Sequence, residues 1–192
     1  VTEWCDAVAT SVAALFSLSA DDAWAGRAVD RAVNDLRRIV NDSVTEKVPL
    51  VGADGYFALI QQTSQIAAEY KIDEKVVIHL LNRYGSLISE VLELVSEDKK
   101  LAVPLDPTLP YIKAEIVYAA SHEGASSVDD VISRRTRLAF EAPDYGVALA
   151  SPIADLIAPV LGWKATDKKA SIAHYIEIAD AERKALHALL KN

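Results

Sequence analysis

The sequence predicts an all-α fold, an irregular bundle of about eight or nine helices. Apolar residues recur at three- and four-residue spacing through most of its 192 residues. No six-residue β-branched run alternates apolar with polar, as a half-buried strand would. The apolar segments are also bounded by Ser, Thr or Asp at their starts and by Gly or Pro at their ends, which is helix punctuation.

Taken in order, residues 3–18 carry Trp4, Val8, Val12, Leu15 and Phe16 on one helical face. The run Ser19, Ala20, Asp21, Asp22 reads as a second start signal, with an acid three places after the cap residue. A long amphipathic helix follows to about residue 41, with Trp24, Ala28, Ala32, Leu36 and Ile39 inward. Its outer face mixes Arg27, Asp30, Arg31, Asp35, Arg37 and Arg38, a solvated surface supported by nearby opposite charges. Periodicity fails over residues 43–56, SVTEKVPLVGADGY, where Pro49, Gly52 and Gly55 mark a linker. The expected organisation is therefore N-terminal helices at 1–42, a linker at 43–56 and a helical domain at 57–192.

Within that domain, helices are expected over 57–70, 73–84 and 86–95, with Gly85 as a C-cap. A proline-rich loop occupies 98–110, and a helix over 111–123 ends at Gly124. Ser127, followed by Asp129 and Asp130, caps a helix expected to run unbroken to Phe140, before Pro143. Ser151-Pro152 opens the next, which Gly162 closes. Thr166 caps the last, which extends to about Leu190.

Composition narrows the chemistry. The formal net charge of -8 disfavours a general nucleic-acid surface, and no apolar run approaches the length of a membrane span. Cys5, the single cysteine, cannot form an intrachain disulfide. Methionine is absent even at position 1, so the chain reads as a piece of a larger protein. His79, His122, His174 and His187 make no HxxxH pair, and no metal site is expected. His79 reads as a satisfied residue at the core boundary. There is no GxSxG elbow, phosphate-binding P-loop or GxGxxG fingerprint, so neither catalytic nor cofactor-binding residues are nominated.

Arg134, Arg135 and Arg137 remain, inside the apolar pattern SVDDVISRRTRLAF. A helix-turn-helix reading is opposed by Asp129 and Asp130, which occupy the turn that would face phosphates. Architecture explains the cluster better. Arg135 falls four after Val131 and three before Leu138, on the inward side, and is expected to pair with Glu115 or Glu123. Arg134 and Arg137 lie nearer the helix margin and are open to a partner surface.

The same residues carry a resemblance. PYIKAEIVYAASHEGASSVDDVISRRTRLAF, residues 110–140, resembles the C-terminal helical domain of the FAD-dependent glycerol-3-phosphate dehydrogenases. LLNRYGS at 80–86, PLVGADGY at 49–56 and IADLIAPVLGW at 153–163 are similar to further segments of that domain. The family's GGK and TTYR groups are absent before Arg27-Ala-Val-Asp30. The resemblance implies a parent oxidoreductase of glycerol metabolism, a flavoprotein that oxidises glycerol 3-phosphate to dihydroxyacetone phosphate and hands electrons from FAD to a quinone. It implies a non-catalytic structural and interaction domain here, with the parent's FAD-binding catalytic domains as partner. A homodimer and a peripheral membrane contact of the parent are further expectations, as is a cytoplasmic location. A free-standing helical adaptor is the alternative. The face turned to the catalytic domains is expected to include Phe57, Ile60, Trp163 and Tyr175.

Overall fold

The computed structural model describes residues 48–189, and the helices expected over 3–18 and 24–41 lie outside them. The chain divides into two compact units, Val1–Pro49 and Leu50–Asn192. The second unit is all-α. Its helices are α1 (Tyr56–Ile60), α2 (Thr63–Tyr70), α3 (Glu74–Tyr84), α4 (Ile88–Glu97), α5 (Lys113–Ser121), α6 (Leu138–Glu141), α7 (Ala150–Leu161) and α8 (Ala165–Leu189). Among the described residues there is no strand, only one isolated antiparallel bridge between Pro104 and Ile112.

Local chemistry sets most boundaries. Asp73 accepts the Lys75 N–H at 2.7 Å and starts α3, which buries Val76, Val77, Leu80, Leu81 and Tyr84 at helical spacing. Gly85, at φ 57, ends it. On α4 the buried positions are Ile88, Val91, Leu92 and Val95. Gly162, left-handed at φ 65, closes α7. Two starts differ slightly from expectation: α7 begins at Ala150, ahead of Ser151-Pro152, and α8 at Ala165, where Asp167 reaches back to the Lys164 N–H at 2.9 Å.

The helix expected from Ser127 to Phe140 is not continuous. Ser127 does cap its start, since Oγ accepts the Asp130 N–H at 3.0 Å. Residues Asp130–Arg135 then form a π-helical turn, and Thr136 is extended at φ -127 and ψ -178. The cause is the threonine: its Oγ1 donates to the Val131 carbonyl at 2.7 Å while its N–H reaches the same carbonyl at 2.9 Å. Both donors of Thr136 are spent five residues back, which widens the turn and stops the helix.

Two buried clusters form, and α5 lies between them. One gathers Ile116, Val131, Ile132, Leu138, Ile153 and Tyr175. The other gathers Val77, Leu80, Val91, Val95, Ile112 and Tyr118. By length and a mean hydropathy of 1.3, the stretch Pro143–Leu161 could cross a membrane, a candidate the sequence reading did not single out. Left-handed residues Asp144, Tyr145 and Gly146 interrupt it, and Ile153, Ala154 and Ile157 turn into the first cluster.

Candidate functional site

Glu115 is the third residue of α5 and is fully buried. Its Oε1 accepts the N–H of Ile112, which would otherwise be an orphan donor at the helix start. Its Oε2 faces α3, where His79 Nε2 lies at 3.0 Å, the Tyr84 hydroxyl at 3.4 Å and Arg83 Nε at 3.5 Å. With Glu115 ionised its oxygen can only accept, so the donor of this bond is His79 Nε2. Residues 79 and 83 are one helical turn apart, so α3 presents both to the same carboxylate. A carboxylate removed from water is tolerated only with such partners.

Arg83 extends the junction. Its Nη2 donates to the backbone carbonyl of Arg135, and its guanidinium carbon lies 5.4 Å from the ring centre of Tyr84 and 5.6 Å from that of Tyr111. The Tyr111 hydroxyl donates to Glu141 at 3.0 Å and accepts the Arg137 N–H at 3.2 Å, which ties α6 to the start of α5. Burial, followed by the Glu115 charge, raises the Tyr84 phenol well above its ordinary value. For Arg83, burial acts to lower the pKa, but Tyr84, Glu115 and Tyr111 outweigh it and hold the guanidinium charged.

The residues expected from sequence fall as follows. Glu115 is the hub, and the guanidinium facing it belongs to Arg83 on α3. Arg135 donates through Nε to the backbone carbonyl of Glu123 at 2.8 Å. The Glu123 carboxyl is pushed up by burial, and the nearby charges of Arg83 and Arg135 partly restrain it. Arg134 pairs with Asp129 and, at 2.9 Å, with Asp130. Arg137 lies 3.6 Å from Glu141 and is largely exposed. Sequence reasoning missed Arg83, Tyr84 and Tyr111 as members. The available signal was an arginine four residues after His79 inside the apolar stripe of α3.

Beside the junction, Leu50, Val51, Phe57, Asn82 and Arg83 surround a hollow of about 350 Å³. Its rim is apolar and open: Leu50 is 82%, Val51 86% and Phe57 79% exposed. The backbone beneath is held by a close approach of two glycines. The Ser86 N–H donates to the Gly52 carbonyl at 2.8 Å, and a Cβ on Gly85 would stand 2.0 Å from that oxygen. Among the described residues, no group of three His, Cys, Asp or Glu side chains could hold a metal ion.

The described residues thus form an all-α domain in which one fully buried carboxylate, Glu115, is met by His79, Arg83 and Tyr84. Residues 43–168 match the family described as the C-terminal domain of alpha-glycerophosphate oxidase, and the chain belongs to that family. It is 44% identical over 158 residues to "Glycerol-3-phosphate dehydrogenase 2" of Mycobacterium bovis, a match covering 82% of this chain and 27% of that protein. It is 42% identical over 181 residues to "Glycerol-3-phosphate dehydrogenase" of Mycobacterium leprae, covering 92% of this chain and 31% of the relative. The same name is borne by a Synechocystis protein, 30% identical over 149 residues, covering 78% of this chain and 27% of the relative. The chain thus spans between a quarter and a third of the length of these relatives. No solved structure matches it significantly.

Proposed function

We propose that the chain serves as the C-terminal structural and interaction domain of a flavin-dependent glycerol-3-phosphate dehydrogenase. The observation that carries this is the family match over residues 43–168, within which the buried Glu115 carboxylate of α5 is met by His79, Arg83 and Tyr84 of α3. In the whole enzyme FAD accepts two electrons from glycerol 3-phosphate, giving dihydroxyacetone phosphate, and passes them to a quinone. The hollow beside the junction does not suit the diphosphate of FAD, because its cation, Arg83, already faces Glu115 and the Arg135 carbonyl. Binding and turnover are therefore assigned to the remainder of the enzyme.

The open rim of Leu50, Val51 and Phe57 is the face we assign to that remainder. Of the four residues expected there from sequence, Phe57 is exposed, Ile60 and Trp163 pack partly against the cores, and Tyr175 is buried. Two measurements test the reading. The chain reconstituted with FAD should show no stoichiometric flavin absorbance band; a bound band would overturn it. Titration calorimetry against the remaining portion of the M. leprae relative should give association that Leu50→Asp and Phe57→Asp weaken. Absence of any heat would equally count against it.

A further inference from the structure

The hollow beside the junction has fixed walls and a single free orienting group. The end of α3, from Leu81 to Tyr84, forms one side, and the linker stretch 50–53 forms another. The two are pinned together, since a Cβ on Gly52 would collide with the Tyr84 carbonyl. Phe57 stands edge-on to Tyr56 at 5.5 Å, with its ring in solvent rather than folded into the space. Ile78, 42% exposed, lies one turn before Asn82 on the same face of α3 and extends the apolar rim. Asn82 is the orienting group. The Tyr56 hydroxyl donates to its Oδ1 at 2.8 Å, which turns Nδ2 the other way, and among the described residues nothing accepts from Nδ2.

We propose that the hollow is a socket for one large apolar side chain of the enzyme's remainder, whose backbone carbonyl accepts from Asn82 Nδ2. This rests on the reading above, in which the rim faces that remainder. Size selects a side chain over a whole element: a helix about 10 Å across would fill 350 Å³ in less than one turn. Chemistry selects an uncharged one, because the walls are apolar and the cation, Arg83, already faces Glu115. Connectivity selects the source. The family match is to a C-terminal domain and begins at residue 43, and the chain covers only 27% and 31% of two relatives. Most of their remaining length therefore precedes the matched domain and joins it through the segment that walls the hollow. A partner tethered there meets the socket at high effective concentration, so a single anchored side chain contributes without a large interface. A second copy of the chain has no such tether.

Thiol alkylation read by peptide mass spectrometry tests this on the whole dehydrogenase that carries the chain. Ala53→Cys places a thiol inside the hollow and Leu50→Cys places one on the rim, both at exposed positions. In the isolated chain both should react with iodoacetamide as open thiols do. In the whole enzyme the thiol at 53 should react at least about tenfold more slowly, because the reagent reaches a covered site only on local opening. Asn82→Leu removes the amide donor and should restore much of that rate. Slow reaction at 50 with fast reaction at 53 would leave the covered rim standing and overturn the socket. Fast reaction at both would overturn the covered rim as well. Protection in the isolated chain that grows with its concentration would also overturn the proposal, since a second copy would then be the occupant. A rate at 53 that Asn82→Leu leaves unchanged would overturn the part given to the amide.

Discussion

At the scale of single residues, the arginine that carries the most energy is one that the arginine-rich motif does not contain. Arg83 faces a carboxylate with no access to water, and truncating it strands that charge. Arg83→Ala should therefore cost about 3–5 kcal/mol in urea unfolding. Arg83→Lys should recover only part, since an ammonium cannot face Glu115 and reach the Arg135 carbonyl as the planar fork does. Arg135→Ala removes a hydrogen bond to a carbonyl and should cost about 1–3 kcal/mol. Equal losses for Arg83→Ala and Arg135→Ala would refute the ranking.

Glu123 gives the matching test in pH. Its carboxyl is raised above the ordinary 4.5 by burial, so the folded chain holds that proton more tightly than the unfolded chain. The stability this lends is complete below 4.5 and is lost as pH rises through the folded value. Glu123→Gln, which stays neutral, should be more stable than the natural chain at neutral pH, with the gap closing in acid. Denaturation midpoints across a pH series decide it, and a natural chain more stable at neutral pH would sink the idea.

At the scale of elements, the linker and the end of α3 act as one fastening. Gly52 and Gly85 both have positive φ and touch through their backbones, so their freedom is used for proximity as well as for turning. Gly85→Ala should cost more than about 3 kcal/mol, because its Cβ would collide with the Gly52 carbonyl. Gly55→Ala, at φ 80 with open space around it, should cost only the strain of about 1–2 kcal/mol. Comparable losses at both positions would show that the close approach is not under load. Sequence made the glycine stops and the apolar stripes of α3, α4 and α7 legible, because both are local and periodic. The break at Thr136 was not legible, since it depends on a hydroxyl competing for a carbonyl within an otherwise regular pattern. Nor was the Arg83–Glu115 pairing, whose partners stand on different helices and leave no periodic trace. The resemblance had marked both segments, RYG and AE, without saying that they meet.

At the scale of the whole described unit, α5 decides whether two clusters behave as one. Tyr111, just before it, and Ile116 and Ala119 within it belong to the first cluster; Ile112, Ala114 and Tyr118 belong to the second. The helix cannot leave either side without unpacking the other, and Glu115 fastens its first turn to α3. Cooperative unfolding of both clusters follows, although they share no buried residue. Ile157→Ala, fully buried in the first cluster, should cost about 2–5 kcal/mol. If α5 couples the clusters, slow-exchanging amides at Val77 and Leu80 in the second should lose the same protection as those at Ile153. Protection that falls around Ile153 and persists at Val77 would mean two independently opening halves, with the polar junction serving as a hinge between them.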